Sequence, residues 1–215
     1  MSHAERIAEF LLSIGAVELN TESPFRWTSG IRSPIYCDNR MLYSHPEARA
    51  CIVDAFVKRV QNLHIPPDAV AGTATAGIGW GALVADRLNL PFVYVRNETK
   101  GHGTRKLVEG DIKKGCHVVV VEDLLSTGRS AISAVQALRR ECESIVTDVI
   151  AIFSYELLSS REMAEESNVI LHPLATLSAL LQVAVRDGRI LEGEVDMIEK
   201  FVEEPKEWAA KVGVV

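Results

Sequence analysis

The sequence predicts an α/β fold, a central parallel sheet flanked by helices, with a small N-terminal appendage. Three observations carry this. Short apolar runs alternate with helical patterns across residues 66–155, the order of a parallel sheet with crossover helices. The runs are nearly continuously apolar, as in "HVVVV" at 117–121, which marks strands buried on both faces. Ahead of them, residues 17–38 hold short β-like pieces broken by Pro and Gly, the pattern of hairpins.

The elements follow in order. "MSHAERIAEFLLSIGAV" places Ile7, Phe10, Leu11 and Ile14 on one helical stripe, and charges inside its apolar pattern distinguish it from a signal peptide. After the hairpins, "SHPEARACIVDAFVKRVQNL" (44–63) reads as a helix with Ser44 as N-cap and Glu47 completing a capping box. Pro66 and Pro67 end that region. "DAVAGTA" is then a strand, "GIGWGALVADRLN" a helix and "PFVYVR" a strand. A polar connection spans 97–114. "CHVVVVED" is a strand, "GRSAISAVQALRREC" a helix and "SIVTDVIAIFSY" a strand. "SSREMAEESN" is a short helix capped by Ser159 with Glu162, "VILHPL" a short strand, and the chain after Thr176 is helical, covering the fold or the appendage.

Composition narrows the function. A chain of 215 residues suits one substantial domain that buries its own core without staples. A formal net charge of −6 argues against nucleic-acid and anionic-membrane partners, which need a cationic face. Cys37, Cys51, Cys116 and Cys142 form no C-x-x-C pair and read as reduced thiols of a cytoplasmic protein. No run approaches the roughly 18 apolar residues of a membrane span. No H-E-x-x-H or i, i+4 histidine pair occurs, which disfavours a protein-held zinc ion. Ser126 lacks a G-x-S-x-G context.

Ligands of open parallel sheets bind beyond the carboxyl ends of the strands, and three segments meet there. In "VVVVEDLLSTGRSA" (118–131) a buried strand ends in Glu122 and Asp123, and a turn leads into a helix starting near Gly128. Amides and hydroxyls at a helix N-terminus form a phosphate cradle. The two acids would repel a phosphate. They fit sugar hydroxyls, or a cationic or metal-bound group, so a ribose 5-phosphate satisfies both halves of the motif. The plainer reading is a solvated strand end before a capped helix. "GTATAGIGWGA" (72–82) joins strand to helix through small residues and contains Gly77, Gly79 and Ala82 in the dinucleotide spacing, with Glu98 21 residues after Gly77. Its glycines fall inside the helical pattern, where helix–sheet packing also explains them. "RNETKGHGTRKLVEG" (96–110) carries Arg96, Lys100, His102, Arg105 and Lys106 among three glycines. This is either a solvated basic loop or a lid whose cations meet a diphosphate.

Together these segments resemble a known family. "VVVVEDLLSTGRSA" is similar to the phosphoribosyl-diphosphate (PRPP) motif of type I phosphoribosyltransferases. Nearly the whole chain resembles the orotate phosphoribosyltransferases. "SGIRSPIYCDNR" (29–40) is similar to their N-terminal signature, "RNETKGHG" (96–103) to their catalytic loop and "GTATAGI" (72–78) to their diphosphate loop. The resemblance implies one domain over 1–215, with hood elements near 15–45, a PRPP-binding core over 66–155 and a helical C-terminal tail over 172–215. It implies transfer of ribose 5-phosphate from PRPP to orotate in UMP biosynthesis, by a Mg²⁺-dependent cytoplasmic homodimer whose catalytic loop enters the neighbouring site. Catalysis would fall to Lys100, His102 and Asp123. PRPP would be bound by Arg96, Lys100, His102, Glu122, Asp123, Leu124, Leu125, Ser126, Thr127, Gly128, Arg129 and Ser130. Within that set, Glu122 and Asp123 face the ribose hydroxyls, and the turn from Ser126 to Ser130 holds the 5′-phosphate. Ser126 would also lie near orotate. Mg²⁺ would be held by PRPP oxygens and water, with no protein cage.

The chain departs from the family at Thr28, Ala76 and Asn97, where some members carry lysine. "FSYE" (153–156) replaces a "DR" pair whose arginine is linked to orotate. The group that orients the orotate carboxylate is therefore open, with Arg32 and the amides around Ser33 to Tyr36 as candidates. Three alternatives compete. A transferase for another base is opposed by "SGIRSPIY". A non-catalytic PRPP-sensing regulator is opposed by Lys100, His102 and the acidic balance. A nicotinamide oxidoreductase rests on Gly77, Gly79 and Ala82 alone.

Overall fold

The computed structural model of the chain describes residues 2–27, 30–97, 106–211 and 213. Helix α1 (His3–Ser13) is followed by four short strands, β1 (Val17–Leu19), β2 (Phe25–Arg26), β3 (Arg32–Ser33) and β4 (Ile35–Cys37). A 3-10 helix over Asn39–Ser44 leads into α2 (Pro46–Gln61). Then come β5 (Ala69–Thr73), α3 (Ala76–Leu88), β6 (Phe92–Val95), β7 (Val108–Glu109), β8 (His117–Leu125), α4 (Arg129–Cys142), β9 (Ile145–Ser154), α5 (Leu158–Glu166) and β10 (Ile170–Thr176). Helices α6 (Leu177–Arg186), α7 (Glu192–Glu203) and α8 (Trp208–Lys211) complete the described chain.

Six strands form one sheet in the order β10-β9-β8-β5-β6-β7. All neighbours are parallel except β7, which runs antiparallel to β6 with Tyr94 opposite Glu109. The apolar runs explain the centre. Val118 to Val121 alternate between two cores, Val119 and Val121 toward α1, α2, α3 and α6, Val118 and Val120 toward α4. Each fully buried valine contributes about 1.5–3 kcal/mol. Residues 17–38 make one of the expected hairpins, β2 with β3, enclosed by the antiparallel pair of β1 with β4. The tail covers both this subdomain and the sheet. Helix α6 packs on α1, α8 on β3, and Phe201 meets Trp27 edge-on at 5.5 Å.

Several local readings change. Ser44 is not an N-cap. It ends the 3-10 helix, and α2 starts at Pro46 after His45, with no side-chain cap. Pro46 at the first helical position has no N–H to satisfy and a φ already suited to a helix. Ser159 lies inside α5, which begins after Leu157 without a side-chain cap; the neighbouring Ser160 hydroxyl donates to Leu157 O at 2.8 Å. The capping box belongs to α1 instead, where Ser2 and Glu5 exchange hydrogen bonds. On α1, Ile7 and Leu11 are buried together with Ala8 and Leu12, while Phe10 and Ile14 stay at the margin. The polar connection contains strand β7. Strand β8 runs past the acids through Leu125, because β9 continues alongside it and pairs Leu124 with Phe153. Pro173 is accommodated in β10 because that strand lies at the sheet edge.

Candidate active site

The carboxyl ends of β5, β8 and β9 open on one rim. Neighbouring residues of a strand face opposite sides, and this divides the two acids. Glu122 is 4% exposed. Its carboxyl accepts from Thr73 Oγ1 at 2.6 Å, from Ser130 Oγ at 2.8 Å and from the Asp123 amide at 3.0 Å. Burial, and then the Asp123 charge, pushes its pKa from 4.5 up to about 8. Asp123 is half-buried on the other side, its carbonyl held by Asn39 Nδ2 at 2.7 Å.

Beyond Leu125 the chain turns at Ser126, Thr127 and Gly128. Gly128 has φ 79°, and a Cβ there would lie 3.2 Å from Ser160 Cα, so both conformation and space require glycine. Gly128 is the N-cap of α4, and no side chain caps that helix. Its first amides are left to a ligand or water.

Two cavities flank the turn. One, of ≈820 Å³, is walled by Trp27, Tyr36 and Tyr155, with Leu124, Ser126 and Lys206 on its lining. Trp27 and Tyr155 stack at 5.2 Å and 19°. Burial raises the Tyr155 phenol well above its ordinary pKa. The other cavity, of ≈390 Å³, is bordered by Thr73, Arg96, Asn97, Ser130 and Ser133. Thr127 and Arg129 border both. Arg96 lies 3.6 Å from Glu109. An aromatic slot and a polar, cation-bearing cavity thus share one phosphate-type turn.

The β5–α3 junction borders the polar side, and the Ala74–Thr75 peptide there is cis. Gly77 and Gly79 lie in the first turns of α3, not in a loop around a ligand. A Cβ on Gly77 would meet Thr73 Oγ1 at 2.3 Å, and one on Gly79 would meet the Tyr43 hydroxyl at 2.7 Å. Helix packing explains this glycine pattern, as the alternative reading of the segment held.

Of the residues singled out from the sequence, Glu122, Asp123, Leu124, Ser126, Thr127, Gly128, Arg129, Ser130 and Arg96 gather at this rim. The Leu125 side chain is fully buried, which leaves only its backbone for a ligand. Lys100 and His102 lie outside the described residues. Among the described residues no group of three or more His, Cys, Asp or Glu is placed to hold a metal ion. Thr73, Asn39, Trp27 and Lys206 join the site without having been picked out. Thr73 lay within "GTATAGI" and Trp27 just before "SGIRSP", whereas Lys206 sits in a tail segment with no motif.

A phosphate turn after two acids on the rim of a parallel sheet defines the phosphoribosyltransferase class, and residues 38–169 match the phosphoribosyl transferase domain family. The chain is 46% identical over 208 residues to an orotate phosphoribosyltransferase of Coxiella burnetii, covering 97% of this chain and 99% of that one. It is 46% identical over 202 residues to an orotate phosphoribosyltransferase of Bacillus mycoides, covering 94% and 95%. The structure of orotate phosphoribosyltransferase from Aeropyrum pernix superposes with a TM-score of 0.72 at 33% identity, over 86% of this chain and 99% of that one. Leishmania donovani UMP synthase shares the fold, with a TM-score of 0.78 at 23% identity over 93% of this chain and 42% of that one. The chain belongs to the orotate phosphoribosyltransferase family.

Proposed function

We propose that this protein transfers ribose 5-phosphate from PRPP to orotate, releasing diphosphate and orotidine 5′-phosphate for UMP biosynthesis. The observation that carries this is the uncapped start of α4 behind the glycine turn, set between an aromatic slot and a cation-bearing cavity. The 5′-phosphate sits on the amides and hydroxyls from Ser126 to Ser130. Asp123 receives ribose hydroxyls at the rim, and Glu122 reaches them only by releasing an internal partner. The planar base enters the slot of Trp27 and Tyr155, near Ser126. The diphosphate lies on the Arg96 side, where Lys100 and His102 would complete its binding.

Breaking the anomeric C–O bond builds positive charge on ribose and negative charge on diphosphate. Cations already in place at the diphosphate lower that barrier, and the Asp123 carboxylate favours the ribose charge. Holding ring nitrogen and anomeric carbon in line adds orientation. Mg²⁺ supplies further neutralisation when bound. The half-buried Asp123 and the surrounding hydroxyls are hard oxygen donors that fit an ion carried mainly by PRPP oxygens and water. The enzyme would act as a homodimer whose catalytic loop, within "RNETKGHG" (96–103), enters the neighbouring site. Four free cysteines accord with a reducing, cytoplasmic location.

An absorbance assay with orotate, PRPP and Mg²⁺ tests this. The protein should consume orotate, and Asp123→Asn and Lys100→Ala should each slow turnover by about 10²–10³-fold. Mixing the two inactive variants should restore part of the activity through hybrid dimers. Consumption of a different base with orotate untouched would overturn the assignment. No recovery despite proven subunit exchange would overturn loop sharing.

A further inference from the structure

The aromatic slot accounts for a planar base, but an orotate carries an ionised carboxylate. Burying it against Trp27 and Tyr155 is costly unless a cation meets it. Tyr155 offers no positive charge there, because burial holds its phenol neutral. Three cations border the slot: Arg32, Arg129 and Lys206. Arg129 opens α4 and also borders the polar cavity, so its charge belongs to the phosphate side. Arg32 stands directly opposite Arg26 in the β2–β3 hairpin, a rung of two like charges.

Lys206 is placed differently. It follows Pro205 in the turn between α7 and α8, where the Glu207 and Trp208 amides donate to Glu204 O at 3.1 and 3.0 Å. Trp208 is 1% exposed, and its indole N–H donates to Met197 O at 2.7 Å. Phe201 bridges edge-on from Trp208 to Trp27, which ties the turn to the slot wall. Lys206 also borders a neighbouring cavity of ≈340 Å³ with Glu162, Glu203, Glu204 and Glu207, and two of these acids have a cation of their own. Lys211 pairs with Glu204 and, at 3.4 Å, with Glu207. No carboxylate among the described residues forms an ion pair with Lys206 itself, an exposed residue that lines the slot together with Trp27 and Ile31. We propose that Lys206, carried on the anchored turn between α7 and α8, binds the carboxylate of the acceptor base and sets the preference for orotate over bases without that group. The inference rests on the orotate transferase reading and assigns a specificity residue to it.

The test is steady-state kinetics of the full chain with each substrate varied at saturating concentration of the other. Lys206→Met should raise KM for orotate by about 10- to 100-fold, the loss expected for one charge-assisted hydrogen bond. KM for PRPP, kcat at saturating orotate and the thermal midpoint should stay near wild type, and Lys206→Arg should recover part of the loss. A merely structural turn would move both KM values and the midpoint together, and that result overturns the proposal. So does an orotate-selective rise in Arg32→Gln with none in Lys206→Met. Wild-type protein that leaves orotate unconsumed overturns both this inference and the activity beneath it. An active wild type with an unchanged Lys206→Met overturns this inference alone.

Discussion

At Glu122, burial and the Asp123 charge keep a proton on the carboxyl at neutral pH, while Thr73 and Ser130 hold it in place. The fold favours the protonated acid. Its contribution to stability is therefore complete below the ordinary value of 4.5 and is lost as pH rises through about 8. The span corresponds to stability on the order of a few kcal/mol. Glu122→Gln, which mimics the protonated form, should flatten the fall in urea midpoint between pH 5 and pH 8 relative to wild type. Equal slopes in the two proteins would show that Glu122 is ionised in the folded state. The sequence placed both acids at the rim correctly, since a valine run ending in carboxylates has few other destinations. It did not separate them, because the separation depends on Thr73, 49 positions away across the β5–β8 pairing.

Among the elements, α3 is the one whose approach to the sheet is set by missing side chains. Alanine is intrinsically about 1 kcal/mol better than glycine within a helix. At Gly77 the added methyl would meet the Val121 carbonyl at 2.6 Å as well as the Thr73 hydroxyl. Crowding of about 1–3 kcal/mol outweighs the propensity gain, because a backbone carbonyl in the central strand has nowhere to go. Gly77→Ala should lower the urea midpoint, whereas Gly193→Ala in α7, with nothing within 4 Å, should not. Equal behaviour of the two variants would refute the packing account. Strands and helices of the sheet were legible from their apolar periods. Helix caps were less so. Ser44 and Ser159 had the right residue three positions on, but the backbone around Pro46 and Leu157 had already begun the helix elsewhere.

Across the whole molecule, the two ends of the chain close over the same rim. Arg186 pairs with Glu9 at 2.7 Å and Arg189 donates to Leu12 O, which fixes α6 on α1. Beyond α6, the tail reaches the hairpins through Phe201 and Trp208. A helical tail covering either the fold or the appendage was readable in the sequence; that it packs on both was not. Its entry into the wall of the aromatic slot was not, because the contact is made by a turn of polar residues with neither period nor motif. The stacking of Trp27 on Tyr155 has one more consequence. Of the three tryptophans, Trp80 and Trp208 are sealed in the core, and Trp27 alone borders the slot and meets solvent. Fluorescence should therefore track the base: orotidine 5′-phosphate should quench or shift the emission of the wild type but leave Trp27→Phe unchanged. A response that survives in Trp27→Phe would place the signal elsewhere. The protein carries an optical probe of occupancy in its own wall, so binding can be followed without a label and without turnover.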